Sequence, residues 1–324
     1  MQPVEKTQTD EQLYRLVQGL NSLVDGEQVA EQLIACGTSA IAPLREFLLL
    51  GRPASVFQPR CWAVKALAGI GAKDVLMEYL SAGGAPADAV TAFSEDVVKN
   101  AAARSLGAWR TEDVRQFLLG LAPKRVMAGV LDALCEFETD DAIPFFLRAL
   151  EDGLAKEAGE RGLSRLGPRA REELLLSALD HRLINEDYEV PSSTIRRRAA
   201  LGLLADIGIE ESDWHRLRAL LNDRDPEVAI WAARLGALYS SPEENVSTVR
   251  GLLDILPSAN WYLQSAAEDA LVGCSAGASR LIDEAIQRRM SLGPAARAID
   301  STLMTLLRVQ RRLSHGGHER QSQT

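Results

Sequence analysis

Residues 59–71, PRCWAVKALAGIG, carry the pattern that decides the fold. Apolar residues with helical spacing place one continuous stripe on one side of a helix: Ala63, Val64, Leu67 and Ile70. Gly71 then supplies the backbone freedom at which many helices end. A second amphipathic segment, KDVLMEYL at 73–80, follows at once. The stretch therefore predicts a pair of helices joined by a tight turn.

The same signature recurs along the chain around an anchor leucine. Seven copies place this leucine at intervals of 28 to 41 residues: Leu67, Leu106, Leu134, Leu163, Leu204, Leu235 and Leu271. Leu33 and Leu306 extend the series at either end. A repeat of this length is typical of stacked helix pairs, each of which buries its apolar face only against its neighbours. We therefore predict an all-α fold, an α-solenoid of about eight antiparallel helix pairs, with the anchor leucines in its core.

Composition restricts the function. The chain has 324 residues and a net charge of −9, so its overall field repels phosphate backbones, and a nucleic-acid partner is not expected without a local basic stripe. The four cysteines are far apart and predict small buried residues of a reducing compartment. Without a signal-like or membrane-length apolar run, we expect a cytoplasmic protein that does not enter the membrane.

Residues 98–107, VKNAAARSLG, resemble the HEAT repeat of the type found in phycobilisome lyases, and residues 60–71 match the same motif less its first position. The resemblance extends from about residue 27 to 313 and implies a right-handed α-solenoid. Proteins with these repeats include adaptors, scaffolds and lyases. The resemblance thus implies a non-enzymatic scaffold or adaptor that binds a protein partner, with a bilin lyase-like chromophore-attachment factor as the alternative. The match is weakest at Gly159, Glu160 and Gly162, where the motif has alanines.

The repeats divide the chain into three parts. Residues 1–26 lead into the first helices, residues 27–313 form the repeat array, and residues 314–324 lose apolar periodicity and are expected to be disordered.

A basic ridge is the first candidate binding surface. Arg104 and Arg161 both stand two residues before an anchor leucine and are expected to point away from the core. Together with Arg165, they predict a concave surface suited to an acidic partner. The second motif position is also basic in four copies: Arg60, Lys99, Lys156 and Arg197. These four cations either grip the partner or, as we favour, pair with acidic residues of neighbouring helices or cap a carbonyl.

Three insertions form the competing candidate surface. They span residues 51–58, 81–94 and 180–193, and their Gly, Pro, Ser and Asp content predicts loops. All three belong to the same class of turn, so they are expected on one edge of the array, where insertions often form a binding face. The third carries an acidic cluster around an aromatic residue and leads into a basic run: Glu186, Asp187, Tyr188, Glu189, and Arg196, Arg197 and Arg198. We expect this loop to contribute little to folding.

Signals for catalysis are weak. Residues 273–277, GCSAG, match the G-x-S-x-G elbow, but that motif needs a strand-to-helix turn and the preceding residues predict a helix. The four histidines are too scattered for a zinc site or a catalytic triad. Trp109 and Asp113 resemble the lesion-binding pair of HEAT-like alkylpurine DNA glycosylases, an activity that the acidic charge disfavours. We therefore predict no catalytic residue, no metal and no cofactor.

Overall fold

The computed structural model describes residues 3–51, 56–82, 88–185, 188–237, 239–274, 279–292 and 300–321. In these ranges the regular structure is helical, and the only β pairing is an isolated bridge between Leu183 and Glu189. The prediction of an all-α protein is confirmed. The chain divides into two compact units, Met1–Leu166 and Gly167–Thr324, which we call unit 1 and unit 2.

Unit 1 is built from ten α-helices in its described part. They are α1 Pro3–Gln18, α2 Gly26–Ala35, α3 Ile41–Leu49, α4 Gln58–Ile70, α5 Lys73–Ser81, α6 Ala89–Leu106, α7 Glu112–Leu121, α8 Ala128–Cys135, α9 Ile143–Ala149 and α10 Lys156–Leu166. The helices that carry the motif pack in succession, α2 on α4, α4 on α6, α6 on α8 and α8 on α10. The helices between them form a second layer, in which α3 contacts both α1 and α5.

Ion pairs connect successive helices of this second layer. Arg45 of α3 donates to Glu78 of α5 at 2.7 Å. Lys73 of α5 donates to Asp113 of α7 at 2.6 Å, and Arg115 of α7 donates to Asp141 at 2.8 Å. These pairs join exposed or partly exposed side chains, so they connect neighbouring helices but contribute little to the stability of the fold.

Unit 2 repeats the same organisation. Its described helices are α11 Arg171–Leu179, α12 Pro191–Ile207, α13 Glu211–Leu217, α14 Pro226–Gly236, α15 Pro242–Ile255, α16 Trp261–Gly273, α17 Ser279–Met290 and α18 Ser301–Gln321. The motif helices α12, α14, α16 and α18 pack in succession, and the intervening helices cover them.

The anchor leucines form the core, as predicted. Leu33, Leu67, Leu106, Leu134 and Leu163 are completely buried in unit 1, as are Leu204 and Leu271 in unit 2. Leu235 and Leu306 are also buried. The small residues of the motif allow close contact between helices, since Ala63, Ala102 and Ala267 are buried too.

The glycines of α10, where the motif match is weakest, have a packing role. A Cβ atom on Gly162 would lie 2.5 Å from the ring of Phe146, and one on Gly159 would lie 2.6 Å from the Phe146 carbonyl oxygen. Phe146 itself is buried on α9. The departure from the alanine pattern therefore lets α10 approach an aromatic side chain that an alanine would exclude.

The insertion at 81–94 is shorter than the sequence predicts. Its last six residues belong to α6, which begins at Ala89. The Asp88 side chain accepts hydrogen bonds from the backbone N–H groups of Val90 and Thr91 at 3.0 and 2.9 Å, and so caps this early start. Val90 and Phe93 have helical spacing but are exposed, so the first turn of α6 stands outside the core.

The cysteines are also less uniform than predicted. Cys135 and Cys274 are buried, whereas Cys61 is half-buried and Cys36 is exposed. Cys36 caps the C-terminus of α2 and so lies outside the stripe that faces the core. All four are free thiols.

Candidate functional site

Two rows of ion pairs cross the surface that α6, α8 and α10 form in unit 1. In row 1, Asp132 of α8 lies between Arg104 of α6 and Arg161 of α10. Arg104 Nε donates to Asp132 Oδ2 at 2.9 Å, and Arg161 Nη2 donates to Asp132 Oδ1 at 2.6 Å. Both arginine side chains are 57% exposed, whereas Asp132 is 13% exposed. The carboxylate is therefore largely covered, and the two guanidinium groups remain accessible.

Row 2 repeats this arrangement one helical turn further along. Arg110 Nη2 and Arg165 Nη1 donate to the two carboxylate oxygens of Glu136, at 2.5 and 2.8 Å. Arg165 Nε also donates to Glu138 at 3.0 Å. The hydrogen bond from Arg165 lowers the pKa of Glu136 below its usual range, so this carboxylate is ionised at neutral pH.

Glu138 occupies a turn position that other repeats give to glycine. Four residues after the anchor leucine, the chain has glycines with positive φ: Gly37, Gly71, Gly167 and Gly208. After Leu134 this position is Glu138, and its φ is +48°. A side chain in the left-handed region costs about 1–2 kcal/mol. Residues held in such conformations concentrate at functional sites.

The two rows border an open cleft of about 650 Å³. Four arginines and two carboxylates line it, together with the small residues Gly107 and Ala108 and the edge of Cys135. Burial raises the pKa of the Cys135 thiol to about 11, so the thiol is protonated at neutral pH and is a poor nucleophile. The lining has two more cationic than anionic side chains, and two further carboxylates outside it, Glu138 and Glu157, also pair with Arg165 and Arg161.

Three of the residues that the sequence predicts for binding lie together in this cleft, namely Arg104, Arg161 and Arg165. The prediction that Arg104 and Arg161 point away from the core is confirmed. Arg110, Asp132, Glu136 and Glu138 are the residues that the sequence analysis missed. Asp132, like Arg104 and Arg161, stands two residues before an anchor leucine. Comparing this one position in these three successive copies would have revealed the order Arg, Asp, Arg.

Arg197, predicted for binding, is completely buried in unit 2. Its Nε donates to the carbonyl of Ala178 at 3.0 Å, and its Nη1 donates to Glu189 at 2.8 Å. It also contacts Asp223. A side chain with no accessible surface cannot meet a partner, so we assign Arg197 to the core. Arg60, at the same motif position, is likewise buried and bonded to the Leu48 carbonyl at 2.8 Å.

The third insertion is anchored to α12. Glu189 accepts hydrogen bonds from both Ser193 and Arg197, so its carboxylate holds the end of this loop against α12. The loop's small contribution to folding stays a prediction. Tyr188 is 68% exposed and is free to contact a partner. Arg198 is half-buried, and it donates to Asp225 at 2.9 Å and lies 3.1 Å from Glu227. Glu186 and Asp187 lie outside the described residues.

In the part of the chain that the structure describes, the candidate catalytic residues do not form a catalytic arrangement. Asp113 accepts its hydrogen bond from Lys73, which lowers the pKa of Asp113 to about 2. Gly273 ends α16, and Ser275 to Gly277 of the possible elbow lie outside the described residues, as do the side chains of His315 and His318. Among the side chains that the structure describes, no group of three or more His, Cys, Asp or Glu is arranged to hold a metal ion.

Comparisons with known proteins assign no family. No protein-family model matches the chain, and no curated protein sequence matches it significantly. Among the described helices, none is both long and apolar enough to span a bilayer.

Proposed function

We propose that this protein is a non-enzymatic HEAT-type scaffold or adaptor in the cytoplasm, which binds an acidic protein segment at the cleft between α6, α8 and α10. In this proposal the helix pairs continue as a right-handed solenoid of about eight repeats. The observation that carries the proposal is the pair of arginine–carboxylate–arginine rows, since their four arginine side chains remain 39–64% exposed although each already has a carboxylate partner.

Charge supports a protein partner of this kind. The whole chain carries −9, yet the cleft lining has more arginines than carboxylates. A local positive site on an acidic protein attracts a matching acidic patch while the rest of the surface repels other polyanions. Arginine also pairs with carboxylates through two parallel hydrogen bonds, which adds geometric selectivity to the attraction.

Site-specific cross-linking tests the proposal. A benzophenone amino acid in place of Ala108, which is exposed at the cleft, should capture a protein in cells of the native host. The double variant Arg104→Glu with Arg161→Glu should abolish this capture. The matched control is Arg45→Glu with Arg115→Glu, which makes the same change in charge and also breaks inter-helix ion pairs, but in the second layer. Equal capture by both double variants would refute the cleft as the binding site.

The solenoid has its own test. Small-angle scattering of the intact chain should give an elongated envelope. A globular envelope would contradict the continuous stacking of repeats that the proposal assumes.

A bilin-binding factor is a second candidate, because the cleft volume of about 650 Å³ lies in the range of small-molecule sites and its arginines suit the two propionates of a tetrapyrrole. Adding bilin to the purified protein should then shift the bilin absorption spectrum, and Arg110→Gln with Arg165→Gln should remove the shift. An unchanged spectrum would exclude this candidate.

A further inference from the structure

We propose that the cleft recognises an α-helix that carries two carboxylates one turn apart, at positions i and i+4. This inference rests on the proposed function, and it specifies the form in which the partner presents its acidic residues.

The spacing of the two rows supports a helical partner. Asp132 and Glu136 are four residues apart at the C-terminal end of α8, and Glu136 keeps helical backbone angles at the cap. Arg161 and Arg165 are four residues apart on α10. Four residues of α-helix advance about 6 Å. The rows therefore repeat at the spacing with which a helix presents side chains i and i+4 on one face.

Each row has hydrogen-bond donors left for a ligand. A guanidinium group carries five N–H donors. Arg110 uses only Nη2 for Glu136, and Arg161 uses Nη2 for Asp132 while its Nη1 lies 3.9 Å from the exposed carboxylate of Glu157. Their side chains are more than half exposed, whereas the carboxylates between the arginines are less accessible. An arriving anion therefore meets the arginine side chains first. One ligand carboxylate brings row 1 to two arginines and two carboxylates, whereas in row 2 it joins Glu136 and Glu138 on the same two arginines.

The floor of the cleft leaves room for a helix. Gly107 and Ala108 lie between the arginines of α6 and the turn that follows it, and they raise no long side chain into the space between the rows. An extended acidic segment would place alternate side chains about 7 Å apart, near the row spacing, but its intervening side chains would point away from the floor. A helix instead directs both carboxylates and the side chain at i+3 to the same face.

Two designed peptides test the inference on the full-length protein. Both are stapled, alanine-based helices with identical composition and two glutamates, placed at i and i+4 in one and at i and i+2 in the other. Fluorescence anisotropy at low and physiological salt measures their binding. We expect the i,i+4 peptide to bind at least about tenfold more tightly, and we expect this preference to weaken with added salt.

Variants then connect the preference to the rows. Arg110→Gln with Arg165→Gln removes one row and should make the two peptides bind alike. The control Arg45→Gln with Arg115→Gln should retain the preference. Thermal melting of each variant establishes that it is folded before binding is compared.

The outcomes separate the inference from the proposed function. Equal binding of the two peptides to the wild-type protein, or no binding of either, would overturn the helical spacing even if cross-linking from position 108 captures a partner. Failure of that cross-linking, with the peptide preference intact, would instead count against the proposed cellular function and leave the recognition geometry standing.

Discussion

Replacing Asp132 by asparagine should have opposite effects on stability and on binding. Asp132 is 13% exposed and holds two exposed arginines from neighbouring helices. An exposed ion pair contributes about 0.2–1 kcal/mol, so losing the charge from both should lower the free energy of unfolding by about 0.5–2 kcal/mol. The same change removes a negative charge from the cleft and releases guanidinium donors. Affinity for the i,i+4 peptide should therefore rise about two- to fivefold, the equivalent of one such pair.

Urea denaturation and fluorescence anisotropy measure the two effects on the same samples. The control is Glu78→Gln, which neutralises the carboxylate partner of Arg45 in the second layer and should leave peptide affinity unchanged. If Asp132→Asn lowers stability and affinity together, Asp132 positions the arginines for the ligand and does not compete with it. That result would refute the reasoning, because the exposed donors would then depend on the carboxylate.

Three further changes test packing, pH dependence and loop anchoring. Gly162→Ala should destabilise unit 1 by about 1–2 kcal/mol in denaturant melts, because the Phe146 ring against Gly162 leaves no space for a methyl group. Gly120→Ala in α7 meets open space and should stabilise the protein by up to about 1 kcal/mol. Hydrogen bonding to Arg115 lowers the pKa of Glu112 to about 2, below its usual 4.5. The stability that the Glu112 carboxylate contributes is therefore complete above pH 4.5 and lost as pH falls toward 2. The difference in urea midpoint between wild type and Glu112→Gln should shrink over that range, and a constant difference would contradict this prediction. Glu189→Gln should destabilise unit 2 by about 1–3 kcal/mol, because it weakens the hydrogen bond to the buried Arg197. The control Tyr188→Ser should change the melting temperature little. Equal effects of the two substitutions would show that the loop is not anchored through Glu189.

The periodic part of the fold was predictable from the sequence. The anchor leucines and the helix ends at Gly71 and Gly208 follow from local rules, because burial at a fixed helical spacing and positive φ each require particular residue types. The extent of the second insertion was not predictable from the sequence. Asp88 starts α6 through a side-chain cap, and the first turn of that helix remains exposed. Val90 and Phe93 are exposed, so burial does not mark where this helix begins.

The candidate site was predictable only on its basic side. Arg104 and Arg161 are recognisable as exposed because they stand at a fixed place in a clear motif. Their shared partner Asp132 lies in a copy in which the motif is loose, and an ion pair between repeats depends on packing distances that a single repeat does not encode. The burial of Arg197 was hidden for the same reason, since its partners come from the preceding helix, the inserted loop and the following turn.

The glutamate in the left-handed turn after α8 has a consequence for protein engineering. Averaging the repeats of this chain would place glycine at position 138, as at Gly71 and Gly167, and would relieve the strained backbone. The same substitution would remove the carboxylate that orients Arg165. The Glu138→Gly variant should thus tolerate more heat while Arg165 samples more orientations. Selection for thermostability and a well-ordered anion cleft therefore favour different residues at this one turn.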